Sequence, residues 1–341
     1  MCNIKIAIHH REGSFSERWI AYCEENKISF LVVDCFDSTI IQKLKEGQIT
    51  HLMWHFNHAS SKDLQVFPYV FNAAENLNIK TFPNFQTRWH FDDKIAQKYL
   101  LESINAPYVE SHVFYEMTKA KEFIEKTPLP IVAKLKRGAG ATNVELLKTK
   151  EEANSYINEM FTIGRNPLAG TFENFDQKLR VAKKIKDPIL LTKKVLSHMF
   201  KNKKEKKLTN QEKGYVYFQK FVPNNLFDTR IIIIGDIAFG VRRFNRQNDF
   251  RASGSGLSDY SSVKIDHRMI KIAFEISKKI GAQSLAFDFV FDHDSPKILE
   301  ICFGFNMNFY NNCEGYWNSE LTFFKGDFNP QQFMIEDFLK R

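Results

Sequence analysis

Residues 284–305 read SLAFDFVFDHDSPKILEICFGF. Two apolar runs flank the polar turn DHDSP, so the stretch predicts a β-hairpin, and each arm buries one acid, Asp288 and Glu300. Antiparallel pairing across the turn brings these two carboxylates together. Adjacent carboxylates repel, so the pair requires a cation, a shared proton or solvent. Magnesium held through one or two carboxylates plus nucleotide phosphates is the usual answer.

Working outward, the segments on either side of this hairpin divide the chain. In residues 1–90, strands NIKIAI, ISFLVVDCF, ITHLMWHF and IKTFPN alternate with helical segments, which predicts a parallel sheet covered on both faces. Helix FDDKIAQKYLLESIN opens a second region, 91–214. It contains PIVAKLKRGAGATNV, read as a strand, a glycine loop and the start of the next strand, and a Lys-rich insertion at about 165–212 in which 189–200 forms an amphipathic pattern. The third region, 215–341, carries the strands GYVYFQKFV and TRIIIIGDIAFGVRRFN, the latter a hairpin turning at Gly235–Asp236. Helix DHRMIKIAFEISKKIG, ending at Gly281, and then the opening hairpin follow.

Composition narrows the function classes. The chain has 341 residues and a net charge of +8, with 33 Phe. Between Lys178 and Lys207 stand twelve basic and two acidic residues, which leaves the remainder close to neutral. A single basic segment argues against a nucleic-acid binder, whose basic surface pervades the binding domain. It is either a solvated insertion or a surface for an acidic glycan or a membrane. No apolar run reaches the ~20 residues of a membrane helix. The five cysteines lack zinc spacing, and a reducing cytoplasm is the expected location.

Several residues are candidates for chemistry. Lys134 lies inside an apolar strand, where an ammonium must find an anion or sit at an edge. Gly138 and Gly140 follow it, in a loop whose N–H groups can approach phosphate. Five arginines, Arg230, Arg242, Arg243, Arg246 and Arg251, fall within 22 residues without an intervening Lys or Glu, as suits carboxylate or phosphate recognition. His51, His55 and His58 cluster in HLMWHFNH, with packing or a substrate-edge role favoured over metal binding.

The order of a helix Lys, a Lys before a glycine loop, a strand QKFV, an arginine cluster, an Asp and a Glu resembles the ATP-grasp superfamily of carboxylate–amine ligases over about residues 83–305. The resemblance implies an α/β (α+β) fold in which an N-terminal parallel-sheet domain precedes two antiparallel-sheet subdomains that clasp ATP. By similarity Lys94, Lys134, Gly138, Gly140 and Ala141 would contact ATP phosphates. Gln219 and the backbone of Phe221 would border adenine. Arg230, one of Arg242 or Arg243, and Arg251 would act on the transferring phosphoryl group or the substrate carboxylate, and Asp288 and Glu300 would hold Mg2+. The family's third metal ligand is an Asn two residues after the Glu, where this chain has Cys302. Glu300 with waters, or Asn306 or Asn308, would then complete the site. WHFDDK, DFRASGSG and EGYWNSEL also resemble a narrower group encoded in bacterial surface-polysaccharide gene clusters.

The implied activity joins a carboxylate, such as a sugar acid, to an amine through an acylphosphate and requires no side-chain nucleophile. The alternatives are kinase-like phosphoryl transfer and a catalytically weakened binding or scaffold protein. The oligomeric state is open from the sequence; dimers are common for the fold that the resemblance implies.

Overall fold

The computed structural model describes residues 4–58, 60–138, 143–167, 211–247 and 249–341. The first four strands, β1 (Ile6–His9), β2 (Phe30–Val33), β3 (His51–Trp54) and β4 (Lys80–Phe82), form an all-parallel sheet in the order β2-β1-β3-β4. Helices α1 (Phe15–Glu25), α2 (Ile40–Glu46), α3 (Ser61–Asn76) and the short α4 (Phe85–Arg88) connect and follow these strands. Ser14 caps α1 by accepting the Ser16 N–H, and Trp19 and Cys23 bury its apolar face.

Helix α5 (Lys94–Ser103) leads into an antiparallel sheet of β5 (Ser111–Phe114), β6 (Ile131–Lys134), β7 (Val144–Leu147) and β8 (Val216–Lys220), ordered β5-β8-β6-β7. Helices α6 (Met117–Lys126) and α7 (Lys150–Thr162) belong to the same lobe, with Ile124, Ile157 and Met160 in its core. The sequence reading places β8 at the head of the third region. Its hydrogen bonds run instead to β5 and β6, so its residues belong to the central sheet. The Lys-rich segment 178–207 and the helix read at 189–200 lie outside the described residues.

The third sheet contains β9 (Phe227–Ile234), β10 (Ile237–Phe244), β11 (Ser258–Asp259), β12 (Ser284–Asp292), β13 (Ser295–Cys302), β14 (Gly315–Asn318) and β15 (Phe323–Lys325). The order is β13-β12-β9-β10-β14-β15, with β11 on β10. Both sequence-read hairpins are present; the second turns at His293–Asp294, tighter than DHDSP suggests. Helix α8 (His267–Ile280) starts at the Asp266 cap and stops at Gly281, whose φ of 75° is left-handed and suits a residue without Cβ. The C-terminal helix α9 (Pro330–Lys340) lies against α1, where the Tyr22 hydroxyl donates to Glu336 at 2.8 Å. One continuous core joins the parallel sheet to α9 and one face of β9, β10 and β12. The central lobe has a separate core.

Candidate active site

A cavity of about 470 Å³ lies where the three sheets meet. Strand ends deliver its residues. Lys134 is the last residue of β6 and Lys94 the first of α5, where Asp93 caps the helix by accepting the Ile95 and Ala96 N–H groups. The Lys94 Nζ donates to Gly138 O at 2.8 Å and lies 3.7 Å from Glu300 Oε1. Burial would depress the Lys94 pKa, but Glu300 and Asp92 hold it above the ordinary value. Asp92 Oδ1 in turn accepts the Gly138 N–H at 3.1 Å, fixing the start of the glycine loop.

Lys134 is different. Its side chain is 5% exposed, faces the cavity, and has no hydrogen-bond or ion-pair partner among the described residues. Burial lowers its pKa from 10.5 to about 8.

The β9–β12 register places Arg230 opposite Asp288, and the β12–β13 register places Asp288 opposite Glu300. A register shift beside Asp288 leaves Leu299 unpaired within β13. Arg230 Nε and Nη2 bond the two Asp288 oxygens at 2.5 and 2.7 Å, and Arg243 Nη2 reaches Asp288 Oδ2 at 2.8 Å. Arg243 also grips Asp228 at 2.7 and 2.6 Å. Burial alone would raise the Asp288 pKa, but the two guanidiniums hold it well below the usual carboxylate range.

The sequence expectations can now be placed. Lys94, Lys134, Gly138, Gln219, Phe221, Arg230, Arg251, Asp288, Glu300 and Asn306 all line the cavity. Arg243 stands behind Asp288, whereas Arg242 pairs with Asp259 and packs on Phe227. Arg251 bonds Asp249, with Nη2 to Oδ2 at 2.8 Å. Gln219 Nε2 donates to Ser111 Oγ at 3.0 Å, and its buried Oε1 has no partner among the described residues. Gly140 and Ala141 lie outside the described residues.

Asn306 borders the cavity, but its Oδ1 accepts the Asn308 N–H at 3.0 Å. Asn308 is turned to Arg18, whose Nη2 donates to its Oδ1 at 3.3 Å. The Cys302 Sγ sits 3.9 Å from His58 Nε2, and burial pushes the thiol up to about 12, so it is neutral. His55 and His58 line the cavity. His51 does not; it packs edge-on against Phe338. The sequence reading missed Arg11, Asp92, Gln97 and Asp228, which also line it. Arg11, Asp92 and Asp228 sit among other polar residues, in HHREG, FDDK and FDTR, and Gln97 is within α5, so no spacing marks them.

A nucleotide-borne magnesium fits the donor set on one condition. Glu300 makes no hydrogen bond among the described residues and is 31% exposed, so its oxygens are available. Asp288 Oδ2 accepts from both Arg230 and Arg243, so the condition is that Asp288 reaches the metal through Oδ1, which accepts a single N–H and keeps a lone pair. A hard ion selects these oxygens over the neutral Cys302 thiol.

No family model and no curated protein matches the sequence. Solved structures do match. The biotin carboxylase domain of the Hydrogenobacter thermophilus 2-oxoglutarate carboxylase aligns at TM-score 0.60 and 12% identity, over 99% of this chain and 70% of that one. The D-alanine–D-alanine ligase of Bacillus anthracis aligns at TM-score 0.57 and 12% identity, over 99% and 98%. The ATP-grasp ligase PsnB, solved with a precursor peptide and AMPPNP, aligns at TM-score 0.56 and 12% identity over the full length of both chains. This chain has the ATP-grasp fold.

Proposed function

We propose that this ATP-grasp chain is an ATP-dependent carboxylate–amine ligase. The observation that carries the proposal is Lys134: a buried ammonium at the wall of the cavity, with no hydrogen-bond or ion-pair partner among the described residues. A buried cation in that state calls for an anionic ligand. Nucleotide phosphate meets the need, since Lys94 and Gly138 stand on the same wall.

When bound, ATP with its magnesium supplies the transferable phosphoryl group. Around it, Lys134 and Lys94 neutralise phosphate charge. Phe221 and Val222, just beyond the β8 ladder, border the base. Glu300 would hold the metal, and Arg230, braced by Asp288, would stabilise the charge gained during transfer. A substrate carboxylate oxygen attacks the γ-phosphorus and ADP leaves. The amine then attacks the acyl carbon, and inorganic phosphate departs with the amide formed.

The acid is proposed to be a sugar carboxylate used in surface-polysaccharide assembly. Phe250, Arg251, Ala252 and Ser253, from the DFRASGSG segment shared with that group, line the cavity. The proposed location is the cytoplasm, where ATP is available; no helix among the described residues is long and apolar enough to cross a membrane. Roles of 178–207 in contacting a membrane or acidic glycan, and a homodimer, belong to the same proposal.

The test is a screen of uronic acids against amino acids with MgATP, following ADP formation by the full chain. ADP release that requires both an acid and an amine is expected. Release with the acid alone makes the protein a kinase, and failure to bind MgADP by calorimetry refutes the nucleotide reading.

A further inference from the structure

Six cationic side chains line the cavity, and four of them are committed. Lys94 bonds Gly138 O, Arg230 bonds Asp288, Lys220 bonds Asp292 and Arg251 bonds Asp249. Two cations have no anionic partner among the described residues: Lys134, considered above, and Arg11. Arg11 also has its Nε buried without a hydrogen-bond acceptor.

The two stand on different parts of the chain. Lys134 belongs to the central lobe, whereas Arg11 follows β1 of the parallel sheet. In the order β2-β1-β3-β4 the chain leaves β1 toward one side and enters β3 on the other. The strand ends at such a reversal form a crevice that takes ligands in open parallel sheets. Arg11 and Gly13 lie after β1, and His55 and His58 after β3; all four line the cavity.

The turn that carries Arg11 is built to hold it still. The Arg11 N–H donates to Ser16 Oγ at 3.1 Å, and Arg11 O accepts the Ser14 N–H at 3.2 Å. Phe15 N–H donates to His55 Nδ1 at 3.1 Å, which ties this turn to the loop after β3. Nearby acids are turned elsewhere: Glu17 of α1 accepts the Gly13 N–H at 2.8 Å and Asp63 of α3 the Asn57 N–H at 3.0 Å, while Glu12 is exposed and forms no ion pair with Arg11. His58 links the two ends of the cavity, because it feels the charges of Arg11 as well as those of Glu300, Lys94 and Arg230. Its Nδ1 is buried with no partner among the described residues.

We propose that Arg11 receives a carboxylate of the acid substrate, with the His58 ring beside it, so that the parallel-sheet domain selects the acid while the central lobe takes the phosphates. The proposal rests on the ligase reading for the word substrate, but the anion site itself stands on Arg11. A guanidinium offers two parallel N–H donors to a carboxylate and none to a neutral sugar, so the site discriminates by charge.

The test is calorimetry on the full chain with D-glucuronate and malonate as carboxylate probes and D-glucose as the uncharged control, each with and without MgADP. At least one carboxylate should bind the wild type, and glucose should not. Arg11→Ala should weaken the bound carboxylate by about tenfold or more, as loss of a charged hydrogen-bond partner does. Arg11→Lys should recover part of that loss, and MgADP affinity should stay the same in all three proteins, with unchanged melting as the check on folding. Failure of both carboxylates to bind the wild type, unchanged binding in Arg11→Ala, or equal binding of glucose overturns the proposal. Arg11-dependent carboxylate binding without any MgADP binding would leave this site standing and remove the ligase reading instead.

Discussion

Replacing Lys134 by methionine should stabilise the empty protein while it cripples nucleotide binding. The side chain keeps its length and apolar stem but loses its charge. In the folded chain burial lowers the lysine pKa from 10.5 to about 8. At 1.36 kcal/mol for each tenfold change, carrying that charge costs the nucleotide-free fold about 3 kcal/mol at neutral pH. Lys134→Met should recover up to this amount, read as a higher urea midpoint. MgADP affinity measured by calorimetry should fall by about 100-fold, as expected when a charged phosphate contact is lost. The pH dependence has a definite sign. Between about 8 and 10.5 the unfolded chain binds the proton that folded Lys134 has released. Stability therefore rises with pH across that window in the wild type. The variant lacks this rise, so the two proteins should converge toward pH 10. A variant that is less stable than wild type and binds MgADP equally well would refute the reasoning, because Lys134 would then be a packing residue.

Two further substitutions test the neighbouring charges. Asp288→Asn leaves Arg230 without an anion and Arg243 with Asp228 alone, and should cost about 3–5 kcal/mol in urea denaturation; a loss below about 1 kcal/mol would show that the arginines do not depend on it. Cys302→Asn replaces a neutral thiol with a hard oxygen beside Glu300, so Mg2+ affinity in the presence of ADP should hold or improve. A large loss would assign the thiol a role of its own.

The sequence was most readable where a local rule has no competitor. Gly281 ends α8 in the left-handed conformation that glycine allows, and the two-residue turn at Gly235–Asp236 pairs the runs on either side of it as a hairpin. The facing of Asp288 and Glu300 was likewise implied by the hairpin. The partner of β8 was not, because an apolar strand states that it is buried but not which neighbour buries it. Nor did the sequence show that both Asp288 oxygens would be gripped by arginines, since that depends on β9 and β10 lying alongside β12. Strands β14 and β15, at four and three residues, are too short to show a period; helix α9 went unread although Met334, Ile335 and Phe338 repeat at helical spacing.

The route by which the chain enters and leaves the central lobe has a mechanical consequence. It enters at β5 and leaves at β8, and these strands are paired, with the Lys220 N–H bonded to Glu110 O at 2.9 Å just outside the ladder. Both crossings therefore lie along one strip, like the spine of a book. Gln219 and Phe221 sit on that spine, while Lys134 and Gly138 ride on the cover that turns about it. The facing page is the body that shares one core from the parallel sheet to α9. A small rotation at the spine thus displaces the Gln219 and Phe221 end of the cavity little and the Lys134 and Gly138 end much, so a closing motion would act chiefly on the wall that carries the buried ammonium.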